Sequence, residues 1–320
     1  MRIAVMGSGG LGGYFGARLC AGGADVHFIA RGPHLAAMRS QGLRIEGPSP
    51  LQLPRVQATD DAGEIGVVDL VMLCVKLWDT ETALRQIRPL VGADTAIVSF
   101  QNGVLKDLYL RAAFDESHIM GGVGYVATTI DRPGVIRQTG PMQRLLFGEF
   151  DGSPSPRAQA FLAACLAGGI NAELSANILR EIWQKFVFLV GLSGTTTTMR
   201  KPIGPIRENL QTRAFLLDVM REVVAVGRAH GVDLAEDYAQ VRLQLADEVA
   251  HDMTSSMHHD LERGNPLEVR WLSGGVVELG QRKAVPTPLN RAIADILALH
   301  AAGRTSTLGH NGMSVSDARK

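Results

Sequence analysis

Met1-Arg2-Ile3-Ala4-Val5-Met6 runs directly into Gly7-Ser8-Gly9-Gly10-Leu11-Gly12 and then into Gly13-Tyr14-Phe15-Gly16-Ala17-Arg18-Leu19. The first six residues make an apolar run suited to a strand, and residues 11–21 carry a helical pattern. Between them stands G-x-G-x-x-G in the setting that gives the motif meaning, after a strand and opening a helix. Glycine lets backbone N–H groups approach a pyrophosphate there, and the helix N-terminus favours its negative charge. Gly7, Ser8, Gly9, Gly10, Leu11 and Gly12 are therefore expected to bind a dinucleotide.

The alternation continues outward. Residues 25–30, 69–75, 95–99 and 118–126 are apolar strand candidates, with helix candidates at 34–40, 80–90 and 105–114. This order predicts an α/β fold with a doubly wound parallel sheet of Rossmann type. Gly22-Gly23 and Gly121-Gly122 read as turns. Residues 135–139 and 144–149 alternate more strictly and are expected to form a hairpin at the sheet edge. Gly152-Ser153-Pro154-Ser155-Pro156 starts a helix through Leu166, and residues 171–174 return a last strand. After Ser175 the pattern turns helical, over 177–199, 210–231, 234–253, 269–282 and 288–301. The expected organisation is a Rossmann domain over 1–174, an all-helical domain over 175–308 and a frayed polar tail over 309–320.

Composition narrows the function classes. The 320 residues hold 32 basic and 32 acidic side chains, and no basic stripe suggests nucleic acid. The longest apolar stretches fall well short of the ~20 residues a membrane helix needs, and no signal-peptide pattern is visible at the N-terminus. Cys20, Cys74 and Cys165 fit no metal spacing and read as buried thiols of a protein in the reducing cytoplasm. His258-His259 beside Asp260 lacks a ligand partner at helical spacing, so no metal is expected. Some of the hydroxyls of Thr195-Thr196-Thr197-Thr198 are expected to bond back to carbonyls of their own helix.

The choice of dinucleotide turns on the end of the second strand, where NAD-binding sheets place an acidic residue on the ribose. Here that position is followed by Arg31, which can pair with a 2′-phosphate but cannot accept from a 2′-hydroxyl. NADP(H) is the expected cofactor, the alternative being that Arg31 is a solvated loop charge. Lys76 and Asn102 stand at the ends of two successive strand candidates, where an open α/β sheet lines its ligand crevice. Each also reads as local structure alone, a strand-end charge and an Asn-Gly turn. Lys185 lies between Trp183, Phe186 and Phe188 on a helix. Desolvation there would make its ammonium a proton donor near neutrality, whereas periodicity alone favours a snorkelling surface lysine.

Taken together, residues 7–12, Arg31, Val75-Lys76, Gln101-Asn102-Gly103, Trp183-Gln184-Lys185-Phe186, Thr254-Ser255-Ser256-Met257 with Asp260, and Leu267-Glu268-Val269 resemble the ketopantoate reductase family along nearly the whole chain. The resemblance implies an NADPH-dependent enzyme, with a Rossmann domain and a helical domain like that of 6-phosphogluconate dehydrogenases, and an active site between them. Carried onto this chain, it makes Lys185 the proton donor and Glu268 a catalytic residue that accepts from a substrate hydroxyl or helps fix the lysine and the cofactor. Lys76, Asn102 and Ala127 become cofactor contacts. Asn102 also faces the substrate, with Ser256 on its carboxylate. A homodimer is a further implication.

The family usually has asparagines four and eight residues after the lysine, where this chain has Leu189 and Ser193. These positions share a helix face with Lys185 and should read the substrate. Reduction of a 2-oxo acid, as in 2-dehydropantoate to pantoate for pantothenate biosynthesis, is the leading expectation. A paralogous reductase for a more apolar 2-oxo acid and a non-catalytic NADP(H)-binding redox sensor are the competing ones.

Overall fold

A computed structural model describes residues 1–304 of the chain. The expected tail over 309–320 and the last residues assigned to the helical domain lie outside the described residues.

The first half is built on strands β1 (Arg2–Met6), β2 (Asp25–Ile29), β5 (Gln57–Thr59), β6 (Leu70–Leu73) and β7 (Ala96–Ser99), with β8 (Ile119–Arg132) and β9 (Val135–Gly148) beyond them. Two short strands, β3 (Leu43–Glu46) and β4 (Leu51–Leu53), extend the sheet past β9, and β10 (Ala172–Leu174) pairs with β9 as well. The strand order is β4-β3-β9-β8-β7-β6-β1-β2-β5. β5, β2, β1, β6, β7 and the start of β8 are parallel. β6 and β7 are buried at every residue, as strands covered on both faces must be. Helices α1 (Gly10–Ala21), α2 (Gly32–Gln41), α3 (Thr80–Gln86), α4 (Lys106–Ala113) and α5 (Pro156–Ala167) complete this half. The chain leaves β1 toward β2 on one side and reaches β6 on the other. The carboxyl ends of β1 and β6 therefore flank the crevice where such sheets bind ligands.

Three sequence expectations need correction here. Residues 135–139 and 144–149 are not two arms of a hairpin but parts of one 14-residue strand, β9, which pairs antiparallel with β8 inside the sheet. Gly121-Gly122 is not a turn: both glycines lie within β8, where side chains would collide. A methyl group on Gly122 would stand 2.7 Å from the Val98 side chain, and one on Gly121 would stand 2.7 Å from that of Ile178. Residues 43–59, which carry no strand expectation, hold β3, β4 and β5.

The second half is helical: α6 (Ile178–Met199), α7 (Ile203–Glu208), α8 (Leu210–Ala229), α9 (Tyr238–Glu248), α10 (Ser256–Arg263), α11 (Ser273–Arg282) and α12 (Pro288–Leu297). The expected helix over 234–253 shrinks to α9, the one over 269–282 begins at Ser273, and α7 and α10 are additional. α6 is the axis of this half. Its Val187 and Val190 are fully buried, as are Leu216, Val219 and Val223 of α8. Gly191 permits the crossing, since a methyl group there would lie 2.6 Å from Met220 of α8. Thr195, Thr196 and Thr198 donate to the carbonyls of Gly191, Leu192 and Gly194 one turn back. Cys165 is buried, whereas Cys20 and Cys74 are only partly so, and all three are free thiols. No described helix is long and apolar enough to cross a membrane. Among the described residues no group of three or more His, Cys, Asp or Glu is placed to hold a metal.

Candidate active site at the carboxyl ends of the central strands

The glycine loop lies between β1 and α1, and its glycines have different reasons to be there. Gly7 adopts φ +97°, and a methyl group on it would stand 2.7 Å from the Val75 nitrogen. On Gly12 a methyl would lie 2.2 Å from the Gly7 carbonyl oxygen, and on Gly10 it would lie 2.6 Å from that of Thr128 in β8. These three are fixed by the protein's own packing. Gly9 is not: its backbone is extended at φ −75°, and nothing lies within 4 Å of the place a Cβ would occupy. What a side chain would fill is the space in front of the first turn of α1. That turn has no side-chain cap and no acidic residue, so its N–H groups and the helix dipole suit an anion. The loop thus fits a dinucleotide pyrophosphate by its chemistry and by the room left over Gly9.

Ser8 departs from its expected role. Its N–H and its hydroxyl both donate to the Ile29 carbonyl at the end of β2, so it ties the loop down rather than facing a phosphate. His34 completes that tie. The Gly134 N–H donates to Nδ1, which leaves Nε2–H to donate to the Ser8 carbonyl at 3.0 Å. Burial lowers the His34 pKa, the bond to Ser8 only partly opposing it, and so favours the neutral ring this pattern requires.

Arg31 follows β2 with its side chain largely in solvent, and it donates to Asp79 Oδ2 at 2.8 Å. Asp79 closes the turn after β6, a neighbour the sequence did not reveal. Ala127 is exposed on the outer half of β8, beside a bulge between Val126 and Thr128.

Lys185, in the second turn of α6, reaches back to the sheet. Its Nζ donates to Asn102 Oδ1 at 2.9 Å and to the Gly124 carbonyl of β8 at 2.7 Å. It also stands 5.3 Å from the centroid of the Tyr125 ring. Burial first, and the nearby Lys106 ammonium second, pull its pKa down to about 7 against the opposing pull of Glu268. Asn102 owes its place to Gln101, whose amide donates to the Val75 carbonyl and Thr80 Oγ1 while its carbonyl accepts from Ser99 Oγ. Gly103 follows at φ +84°, the left-handed conformation that suits glycine.

Glu268 comes from the turn before α11 and is buried. Oε1 accepts from the Leu77 N–H at 3.2 Å, and Oε2 lies 3.7 Å from Lys76 Nζ. Lys76 itself donates to Asp260 Oδ2 of α10 at 2.9 Å. Burial opposes the ammonium of Lys76, but the carboxylates of Glu268 and Asp260 outweigh it and raise its pKa. A loop of the sheet half is thereby bound to two acids of the helical half.

A small cavity touches Gln101, Lys106, Val123, Ile182, Lys185 and Leu189 among others. Leu189 therefore stands with Lys185, as its spacing suggests. Ser193, another turn on, is buried, and its hydroxyl has no partner among the described residues. Ser256 is the exposed first residue of α10, on the helix that carries Asp260, while its neighbour Ser255 caps that helix and bonds Thr196. Lys106, Asp79 and His34 had no sequence signal. Asp260 had one only through the family resemblance.

A family model for ketopantoate reductase PanE/ApbA matches residues 3–152, and the model for the C-terminal region of the same family matches residues 177–301. The chain belongs to the ketopantoate reductase family. A 2-dehydropantoate 2-reductase of Mesorhizobium japonicum is 32% identical to the reductase, over 92% of this chain and 95% of its own. An uncharacterized oxidoreductase of Bacillus subtilis is 29% identical over 94% of this chain and 99% of its own. The crystal structure of a PanE/ApbA family ketopantoate reductase from Ralstonia eutropha superposes with a TM-score of 0.85 at 31% identity, covering 94% of this chain and 98% of that one. The reductase is an NAD(P)-dependent oxidoreductase with the Rossmann and helical halves of its family.

Proposed function

We propose that the enzyme reduces a 2-oxo acid to a 2-hydroxy acid with NADPH, in the manner of 2-dehydropantoate to pantoate. The observation that carries this reading is Lys185 Nζ, held between Asn102 Oδ1 and the Gly124 carbonyl at the carboxyl ends of the central strands. Bound nicotinamide supplies the hydride for the keto carbon. Lys185 gives its proton to the oxygen as charge develops there, leaving a hydroxyl on the product and a neutral amine that regains a proton from water. Asn102 orients the ammonium, and Glu268 favours its protonated form. Arg31 would hold the 2′-phosphate, and the N–H groups around Gly9 the pyrophosphate.

Protonated Lys185 is the competent form, and its pKa is about 7. The rate of reduction is therefore full below that value and falls as pH rises through it. Lys185→Ala should lower kcat by about 10²–10⁴-fold, leave NADPH affinity within about twofold, and abolish this limb. Stopped-flow rates and fluorescence titration of NADPH check both. A variant that reduces 2-dehydropantoate at the wild-type rate overturns the role of Lys185.

A second reading, reduction of a more apolar 2-oxo acid, is favoured by Leu189, which lines the cavity with Val123, Ile182 and Phe186. An apolar wall cannot replace a hydrogen bond to a substrate hydroxyl. Comparison of kcat/KM across 2-oxo acids with polar and apolar side chains separates the two readings.

A further inference from the structure

Lysine is scarce in this chain. It occurs at positions 76, 106, 185, 201, 283 and 320, while arginine carries most of the positive charge. Lys76 and Lys185 serve the site described above. Lys106, the first residue of α4, is buried outright and pairs with no carboxylate within salt-bridge distance among the described residues. Such a group is costly to bury unless its protons find acceptors.

Its acceptors lie where the ladder between two strands stops. The ladder between β7 and β8 has pairs at Ile97–Ile119 and Val98–Met120 and stops there, although Gly122 of β8 still packs closely on Val98 and Ser99 of β7. Lys106 Nζ links the two strands there, donating to the Ser99 carbonyl at the end of β7 and to the Gly122 carbonyl of β8. The next carbonyl on that edge of β8, two residues on, is Gly124, and it accepts from Lys185. Alternate carbonyls of a strand point the same way at about 7 Å spacing. Two ammonium groups thus stand side by side in place of a strand, and both line one cavity.

We propose that Lys106 is a positioning residue for the reduction: it ties the end of β7 to β8 where their ladder stops, leaves the Gly124 carbonyl for Lys185, and sets a second ammonium behind the first. The proposal rests on Lys185 as proton donor. The groups that face Lys185 are Asn102, the Tyr125 ring, Glu268 and Lys106; those that face Lys106 are Asp107 and the Cys74 thiol. Among them Lys106 is the charge that disfavours a proton on Lys185, and Glu268 the one that favours it. Burial lowers the pKa of Lys106 itself, with Asp107 and Cys74 opposing.

The test is Lys106→Gln, which keeps N–H donors and removes the charge, beside Lys106→Met, which removes both. Lys185 is titrated by NMR of the full-length protein labelled at its lysine ε-carbons, and kcat and KM for 2-dehydropantoate are followed against pH with NADPH. In Lys106→Gln the Lys185 midpoint and the alkaline limb of kcat should rise together by roughly one pH unit. Plateau kcat should fall by about 3–10-fold because the donor is weaker, with KM little changed. Lys106→Met should add a rise in KM, because the link between the Ser99 and Gly122 carbonyls is lost. An unmoved midpoint in folded Lys106→Gln, with Lys185→Ala inactive, overturns the proposal and leaves the reductase reading intact. Wild-type turnover by Lys185→Ala overturns that reading instead, and the NMR midpoint still judges the coupling. Should neither Lys106 variant fold, the wild-type curves decide. Mutually distorted titrations of Lys106 and Lys185 support the proposal, and independent single-step curves overturn it.

Discussion

Arg31 and Asp79 illustrate how a single residue gains or loses a meaning with its neighbour. In the sequence Arg31 is a lone guanidinium after a strand, and it reads as a phosphate partner. In the fold its Nη2 lies 2.8 Å from Asp79 Oδ2. A carboxylate at that place competes with a 2′-phosphate for the guanidinium and repels it. We expect Asp79→Asn to tighten NADPH binding by about 3–10-fold, with NADH little changed, and Arg31→Ala to abolish the preference between them. Fluorescence titration with both nucleotides reads this directly, and equal affinities in wild type and Asp79→Asn would refute it. Lys185 was legible only in part: its aromatic neighbours hint at desolvation, periodicity alone favours a surface lysine, and its proposed role comes with the family resemblance. Lys106 was not: a lysine that opens a helix pattern looks like ordinary solvated charge, and only the fold brings the Ser99 and Gly122 carbonyls to it.

At the scale of elements, β1, β6 and β7 were legible because strands buried on both faces appear as nearly continuous apolar runs, and β2 by its place after the Gly22-Gly23 turn. Residues 43–59 were not, since glycine and proline at Gly47, Pro48 and Pro50 separate strands of only three or four residues. β8 runs six residues past the expected 118–126 because its outer end, with Ile130, Asp131 and Arg132 exposed, loses the apolar pattern, and its paired glycines imitate a turn inside the strand. Those glycines have a packing role that can be tested. Gly122→Ala puts a methyl group 2.7 Å from Val98 and 3.0 Å from the Ser99 carbonyl, in a wall with no slack. Overpacking of this kind costs about 1–3 kcal/mol. Urea denaturation should show it as a lower midpoint at unchanged slope, and an unchanged midpoint would mean that β8 yields where the packing says it cannot.

For the whole molecule, Lys76, Asp260 and Glu268 tie the two halves together, beside the bonds of Lys185 to Asn102 and Gly124. Lys76 is about two-fifths exposed, so its pair with Asp260 adds little to global stability. Its worth lies in fixing where the loop after β6 stands relative to α10. Asp260→Asn should leave the thermal midpoint within a degree or two yet raise KM for NADPH several-fold. A large loss of Tm with unchanged KM would assign Asp260 to stability instead. The doubly wound, parallel character of the sheet followed from strand and helix alternation, though its strand order did not. The meeting of the halves did not, because residues 76 and 260 lie far apart in sequence and neither announces the other.

One strand also acts as a ruler. β8 supports Gly10 of the phosphate loop through the Thr128 carbonyl and holds Lys185 through the Gly124 carbonyl. The separation of these two supports, about 13 Å were the chain fully extended and altered locally by the bulge between Val126 and Thr128, sets how far the proposed proton donor stands from the glycine loop. Few insertions in this protein would then be as costly as one residue between Gly124 and Thr128. It would lengthen the gauge by about 3.3 Å and turn every later side chain of β8 to the opposite face.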